Sequence, residues 1–239
     1  MLENLDVEKV LFLDIETVPA VYDYDDLDDK TRSLWDDKVR FQVRDEQTPK
    51  DIYERAGVMA EFGKVVCISC GFLAQKGGER QFRVRSFAGV DEKELLQGFA
   101  NMLDSYFSGG NFLLCAHNGK EFDFPYLCRR MLINGLHLPS LLDISGKKPW
   151  EIPHLDTMEL WKFGDFKNYT SLSLLTHVFG IPTPKDDISG ADVARVFYEE
   201  NDLDRIVTYC QKDIIALANL LLKFRGQQLI EEHQVVYTG

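Results

Sequence analysis

The 239-residue sequence predicts a single α/β domain in which helices pack on a mixed β-sheet. Short apolar segments with strand character occupy the first half, and amphipathic helix patterns fill the second half. No repeat, linker or low-complexity stretch divides the chain, and its 45% hydrophobic and 12% aromatic residues are ordinary for a globular domain. The predicted strands cover residues 10–16, 64–74, 80–89 and 111–116, and the chain after them is predicted to be helical.

The first predicted strand ends in two acids, within the segment FLDIETVP at residues 12–19. Strand side chains alternate, so Asp14 and Glu16 share one face while the apolar residues between them share the other. Two neighbouring carboxylates repel each other and lose solvation unless positive charge lies between them, and a bound cation would supply that charge. The alternative is that the strand frays at Asp14 and both acids reach water.

A charged segment, residues 20–63, separates the first two strands and is predicted to be a mostly helical insertion in the single domain that spans residues 1–239. Its many aspartates indicate a solvated face, because the spaced acids and glycine of a calcium loop are absent from the sequence there. A β-hairpin with its turn at QKGGE follows. Asp91 and Glu94 then form a capping-box pattern at the start of the next helix.

The last helix pattern, residues 203–226, carries an acid on its apolar stripe. Spacings of three and four residues place Asp213 in line with Cys210 and Leu217, and Tyr209 lies one turn earlier on the same face. A buried carboxylate needs a cation or several hydrogen-bond donors. Metal binding and an ion pair with a lysine or arginine are both open interpretations.

A further acid, Asp123, follows the fourth predicted strand in the segment CAHNGKEFDFPYLCRR. It is a candidate for the same cluster of carboxylates. The alternative is a purely structural role as a helix N-cap, with Pro125 in the first helical turn.

The charge, the cysteines and the apolar runs of the sequence indicate which partners and which location the protein has. A net charge of −12 argues against a broad basic surface for non-specific nucleic-acid binding, although acids gathered around metal ions attract phosphate once the ions are bound. The five cysteines are odd in number and lie mostly in apolar surroundings, which favours reduced thiols and a cytoplasmic location. No signal peptide and no apolar run of ~20 residues is visible, so no membrane association is expected.

The acids fall into three motifs: D-x-E at residues 14–16, N-x3-F-D ending at Asp123, and Y-x3-D ending at Asp213. In this order they resemble the exonuclease motifs of the DEDD superfamily. Thr208 stands where the DEDDh type has a histidine, so the tyrosine (DEDDy) type is indicated. The chain most closely resembles the predicted stand-alone exonucleases related to the proofreading domain of family-B DNA polymerases. The resemblance spans nearly the whole chain, but segment 20–63 is longer than the usual connection.

This resemblance implies a ribonuclease H-like fold in which four acids hold two Mg²⁺ or Mn²⁺ ions. Oxygen ligands suit these hard ions. The family pattern places Asp14 between both ions. It places Glu16 and Asp213 on the ion that carries the attacking water, Asp123 on the other ion, and Tyr209 beside the water.

The resemblance also implies a substrate, namely single-stranded DNA or a DNA 3′ end, which is cut to nucleoside 5′-monophosphates. Thr17, Asn118 and Phe122 are the implied contacts to it, although a core role for Phe122 is also open. For Lys120, beside the second motif, a phosphate contact and simple solvation are both open. RNA is an open substrate, since ribonuclease D-type enzymes share the tyrosine, and a non-catalytic binding module is a further alternative. The acidic composition suggests weak binding or a protein partner that supplies basic surface.

Overall fold

A six-stranded mixed sheet forms the middle layer of the fold. It is seen in a computed structural model that describes residues 2–44, 46–165, 169–182 and 188–238. The strand order is β5-β4-β1-β2-β3-β6. The β1–β2 and β2–β3 pairs are antiparallel, and the β1–β4, β4–β5 and β3–β6 pairs are parallel. The strands are β1 (Val10–Pro19), β2 (Gly63–Lys76), β3 (Glu79–Ala88), β4 (Leu113–Ala116), β5 (Leu155–Asp156) and β6 (Val235–Tyr237).

This arrangement confirms the predicted mixed sheet, but the prediction that the chain is only helical after residue 116 is wrong at β5 and β6. These strands have two and three residues, so neither is long enough to show the alternation that identifies a strand in a sequence. The predicted hairpin turn is present between β2 and β3. Gly77 and Gly78 both have positive φ there, as a tight hairpin turn requires.

Helices cover both faces of the sheet because β1 is apolar on both. Leu11, Leu13 and Ile15 pack in one buried cluster with α2 and α3, whereas Val10 and Phe12 pack in another with α7. The helices are α1 (Asp29–Val39), α2 (Glu92–Tyr106), α3 (Asp123–Ile133), α4 (Thr157–Lys162), α5 (Leu172–Val178), α6 (Val193–Arg195), which continues as a π-helix over Val196–Glu200, and α7 (Leu203–Phe224). Among the described helices, none combines the length and apolar composition that a membrane span requires.

Segment 20–63 contains α1 and a 3₁₀-helix, Pro49–Val58, around a small core of its own. Trp35 is fully buried there, and its indole nitrogen donates a hydrogen bond to the Pro49 carbonyl at 2.9 Å. The segment returns to the sheet where the Ala20 amide donates to the Phe62 carbonyl at 2.8 Å. It therefore packs beside the end of β1.

A buried ion pair connects this segment to α2 and α3. The Arg130 Nε atom donates to Glu92 Oε1 at 2.8 Å, and a second guanidinium nitrogen of Arg130 donates to the Ala60 carbonyl at 2.8 Å. The same Glu92 carboxylate accepts the Val65 amide of β2 at 2.7 Å. Both charged side chains are about nine-tenths buried, so their mutual hydrogen bonds replace the lost water.

Candidate active site

The end of β1 brings Asp14 and Glu16 together on the α7 side of the sheet. One carboxylate oxygen of each lies within 4.8 Å of the other and of the Cys210 sulfur. Glu16 is only 7% exposed, and in the described part of the chain its carboxylate accepts no hydrogen bond. A β-bulge follows directly, between Glu16 and Thr17, and redirects the strand beyond the two acids. The alternative in which the strand frays at Asp14 is wrong, since β1 continues to Pro19.

Helix α7 supplies the facing side of the site. Its apolar stripe is buried at Ile206, Cys210 and Leu217, as predicted, and Asp213 lies half-buried where that stripe meets β1. The Tyr209 hydroxyl donates a hydrogen bond to the Asp213 carboxylate. The helix therefore presents a carboxylate and a phenol toward the two acids of β1.

Cys210 is a member of the site that the sequence analysis did not identify. Its thiol donates to Asp14 Oδ2 at 3.3 Å, and it also has a hydrogen-bond contact with Cys67 of β2. Because Cys210 lies on the apolar stripe of α7, its pattern in the sequence is that of an ordinary core residue. Its position next to Tyr209 and one turn before Asp213 could have indicated a place in the site, since it lies on the face that meets β1.

Helix α3 positions the fourth acid. Asp123 is the first residue of the helix rather than its N-cap, a position that Phe122 occupies. Its buried carboxylate accepts the backbone amide of Ile15, which lies between the two acids of β1. This bond ties the start of α3 to the same stretch of β1.

The turn before α3 holds a predicted substrate contact in an unusual conformation. Asn118 has a φ of +63°, and its side-chain Oδ1 atom is buried without a hydrogen-bond partner. Asp156 fixes this turn, because its carboxylate accepts the amides of Asn118 at 3.0 Å and Lys120 at 3.1 Å. The same carboxylate caps α4 through the Met158 amide at 2.9 Å. Asp156 therefore supports the turn and the helix cap.

The other predicted substrate contacts have protein partners. Phe122 is half-buried against the core, with its ring centroid 5.3 Å from that of Tyr126. Thr17 has a side-chain hydrogen bond with the same Tyr126. Lys120 pairs with Glu159 at 2.8 Å, so it is neither free for phosphate nor simply solvated.

The electrostatics of the site favour a bound cation. Burial, together with repulsion from Asp213 and Asp123, raises the pKa of Asp14 well above its ordinary value. Burial and the charges of Asp14 and Asp213 do the same to the pKa of Glu16. The pKa of Asp123 is raised to about 7, mainly by burial. Carboxylate oxygens that repel each other at this spacing are suitable ligands for Mg²⁺ or Mn²⁺.

These shifts predict how stability depends on pH when divalent metal is absent. The folded-state pKa values of Asp14, Glu16 and Asp123 lie above their unfolded values, so the folded state binds more protons and its stability falls as pH rises from about 4 to above 7. In a chelator, the melting temperature is expected to be roughly 5 °C lower at pH 8 than at pH 5.5. Added Mn²⁺ should remove most of this difference, and so should Asp14→Asn. A melting temperature that rises over this pH range in chelator would contradict the expectation.

One family model and two solved structures are similar to this chain. Residues 58–233 match the model of a family described as predicted 3′-5′ exonucleases related to the exonuclease domain of PolB. The matched range includes Asp123, Tyr209 and Asp213, whereas the acids of β1 precede it. A search of curated protein sequences found no similar protein.

The fold resembles solved structures at low sequence identity. The family B DNA polymerase from the hyperthermophilic archaeon Pyrobaculum calidifontis superimposes with a TM-score of 0.53 and 17% identity, over 90% of this chain and 24% of the polymerase. A product-bound exonuclease I matches with a TM-score of 0.36 and 11% identity, over 86% of this chain and 45% of the other. The chain thus spans about a quarter of the polymerase. Since the family match extends over well more than half of the chain, the protein belongs to the predicted 3′-5′ exonucleases related to the exonuclease domain of PolB.

Proposed function

We propose that the protein is a metal-dependent exonuclease that removes nucleoside 5′-monophosphates from the 3′ end of single-stranded DNA. Exonuclease domains of this kind use divalent metal ions. The observation that carries the proposal is the meeting of acids from three elements: Asp14 and Glu16 of β1, Asp123 of α3 and Asp213 of α7. A binding module has no need for repelling, buried carboxylates, which supports catalysis over the binding alternative.

The four carboxylates are the proposed metal ligands. Two Mg²⁺ or Mn²⁺ ions, when bound, stabilise the attacking and leaving oxygens of an in-line displacement at phosphorus. The chain holds the ligands in place without them: the Cys210 thiol orients Asp14, and the Ile15 amide orients Asp123. This preorganisation supports a site that is built before the ions arrive.

Tyr209 is proposed to position the attacking water. Burial and the neighbouring acids raise the pKa of its phenol well above the ordinary value, so the hydroxyl keeps its proton at neutral pH. A protonated phenol cannot serve as a general base, but it can fix a water molecule and the Asp213 carboxylate by hydrogen bonding.

Tyr209→Phe tests this role. Loss of the hydroxyl is expected to lower kcat about a hundredfold, because the attacking water would no longer be held in position and a misplaced reacting group costs about this factor. The affinity for Mn²⁺, measured by calorimetry, should stay within about threefold because no ligand is lost. Unchanged kcat would contradict the proposed role, and Tyr237→Phe, which changes an exposed tyrosine of β6, is the control.

Cys210 offers a second test of the same site. The outer partners of metal ligands typically contribute 10–100-fold to metal affinity or activity. Cys210→Ala, which removes the donor to Asp14, is expected to raise the Mn²⁺ concentration for half-maximal activity about tenfold. Cys210→Ser keeps a donor and should stay near the wild type. Equal behaviour of the two variants would show that the bond to Asp14 does not matter.

The proposed substrate contacts are Asn118, Phe122 and Thr17. The buried and unpartnered Oδ1 atom of Asn118 supports its role most directly, since a nucleotide donor would satisfy it. The described contacts of Phe122 and Thr17 are with Tyr126, so we propose that they shape the pocket wall beside the terminal base. Stacking by Phe122 would tolerate any base.

The decisive experiment uses 5′-labelled single-stranded DNA and RNA of the same sequence, with Mg²⁺ or Mn²⁺ and an Asp14→Ala control. A ladder that shortens from the 3′ end of the DNA, and that is lost in the control, is the expected result. Preferential shortening of the RNA would favour the exoribonuclease alternative. No cleavage of either strand with both metals would overturn the proposal.

The net charge of −12 supports two further proposals about how the enzyme meets DNA. Binding alone should be weak and involve few phosphates, and a protein partner with basic surface should deliver the DNA end. A shallow dependence of binding on salt is expected, and a steep dependence would contradict it. The five free thiols support action in a reducing compartment such as the cytoplasm.

A further inference from the structure

A cavity of about 730 Å³ lies between the end of α2 and the sheet, away from the candidate active site. We call it the α2 pocket; its walls include Phe72, Arg83, Arg85, Tyr106, Phe107 and Phe112. Leu11 of β1 also lines it and packs on the α2 side, whereas Asp14 faces α7 on the opposite side of the same strand. The α2 pocket and the candidate active site are therefore separated by three residues of strand, which is about 10 Å, and by the thickness of the sheet.

One wall of the α2 pocket is aromatic. The ring of Phe107 packs edge-on against Phe72 at 5.8 Å and against Phe112 at 5.1 Å between centroids. Tyr106 beside them is 71% exposed, although it ends a helix that is otherwise packed on the core. Such a wall offers planar apolar surface to a ring-shaped ligand.

The sheet side of the α2 pocket also carries positive charge, since Arg83 is paired with Phe72 across β2 and β3. Arg83 and Arg85 alternate along β3, so both side chains face the α2 side. Neither forms an ion pair with a carboxylate in the described part of the chain, and Arg85 lies over the Phe87 ring at 4.8 Å. The acidic residue that lines the pocket is Glu8. Two half-buried arginines without acidic partners stand out in a chain of 39 acidic and 27 basic residues.

We propose that the α2 pocket binds a free mononucleotide, with the base against the aromatic wall and the phosphate between Arg83 and Arg85. A guanidinium presents a planar fork of donors that matches phosphate oxygens. The pocket volume is in the range of small-ligand sites. This site is additional to the proposed exonuclease site and does not depend on catalysis there.

The test is calorimetric titration of the Asp14→Asn protein with 2′-deoxyadenosine 5′-monophosphate in chelator, so that metal-assisted binding at the acids is excluded. Binding is expected, and Arg83→Gln and Arg85→Gln should each weaken it at least tenfold. Arg40→Gln is the matched control, because Arg40 is exposed and also lies over a phenylalanine ring, that of Phe41.

The proposal would be overturned by no binding, by binding that neither arginine variant weakens, or by inorganic phosphate binding as tightly as the mononucleotide. A ten-residue oligonucleotide that displaces the mononucleotide at a concentration far below that of the mononucleotide would also overturn the proposal. The ligand of the α2 pocket would then be a nucleic-acid strand. Arg85→Lys retains the positive charge but loses the planar guanidinium, so it should also bind the mononucleotide more weakly. This variant tests the proposal if a glutamine variant folds poorly.

Discussion

Asp14→Asn is expected to lower exonuclease activity about a thousandfold or more. Asp14 lies at the centre of the acid cluster, since it is within reach of Glu16 and is repelled by both Asp213 and Asp123. An amide cannot neutralise cations as a carboxylate does, and several kcal/mol of transition-state stabilisation would be lost. The measurement is kcat/KM on a 5′-labelled single strand at saturating Mn²⁺.

The matched control for this variant is Asp37→Asn, an exposed aspartate of α1 in the segment after β1. It should retain wild-type activity, because it is distant in sequence from the motifs and carries no buried charge. The folded Asp14→Asn protein should be at least as stable as the wild type in chelator, since a repelling charge has been removed. Retained activity in a stable Asp14→Asn protein would remove Asp14 from the proposed site.

Arg130→Met is expected to lower the free energy of unfolding by about 3–5 kcal/mol. The variant leaves the Glu92 carboxylate buried without its cation, and breaking a buried pair from one side typically costs this much. It also removes the donor to the Ala60 carbonyl, which connects segment 20–63 to α3. Denaturant unfolding followed by circular dichroism would measure the change.

Two variants sharpen this prediction. Arg129→Met changes the exposed neighbour on α3 and should alter the free energy of unfolding by less than about 0.5 kcal/mol. The double variant Arg130→Met with Glu92→Leu should lose less than the sum of the two single changes, because no uncompensated charge is left buried. Strict additivity would mean that the ion pair does not act as a unit.

Much of the fold was predictable because its signals are local. Alternation along β1 identified a strand with two acids on one face, and the spacing of three and four residues identified α7 with Asp213 on its stripe. The strand and helix that carry the motifs are long enough for these periods to be visible. The sheet order could be anticipated as mixed, because a hairpin joins β2 to β3.

The missed features depend on contacts between distant residues. A stripe pattern cannot distinguish a thiol that packs in the core from one that donates to Asp14, so Cys210 was assigned to the core. For Asp156 the sequence left a place near the site and a loop or cap role both open, and what it could not show are the bonds to the turn at Asn118 and Lys120, which follow from the pairing of β5 with β4. Neither contact leaves a periodic trace in the sequence.

The position of β1 determines when the proposed active site can form during synthesis of the chain. This strand lies inside the sheet, between β2 and β4, and Phe12 pairs with both Gly71 and Cys115. Its acids also need α7, which is formed from residues far along the chain. A ribosome-bound nascent chain that already carries Asp14 and Glu16 therefore lacks the complete cluster of four acids until Asp213 has emerged. The proposed nuclease activity is thus withheld until α7 has been made.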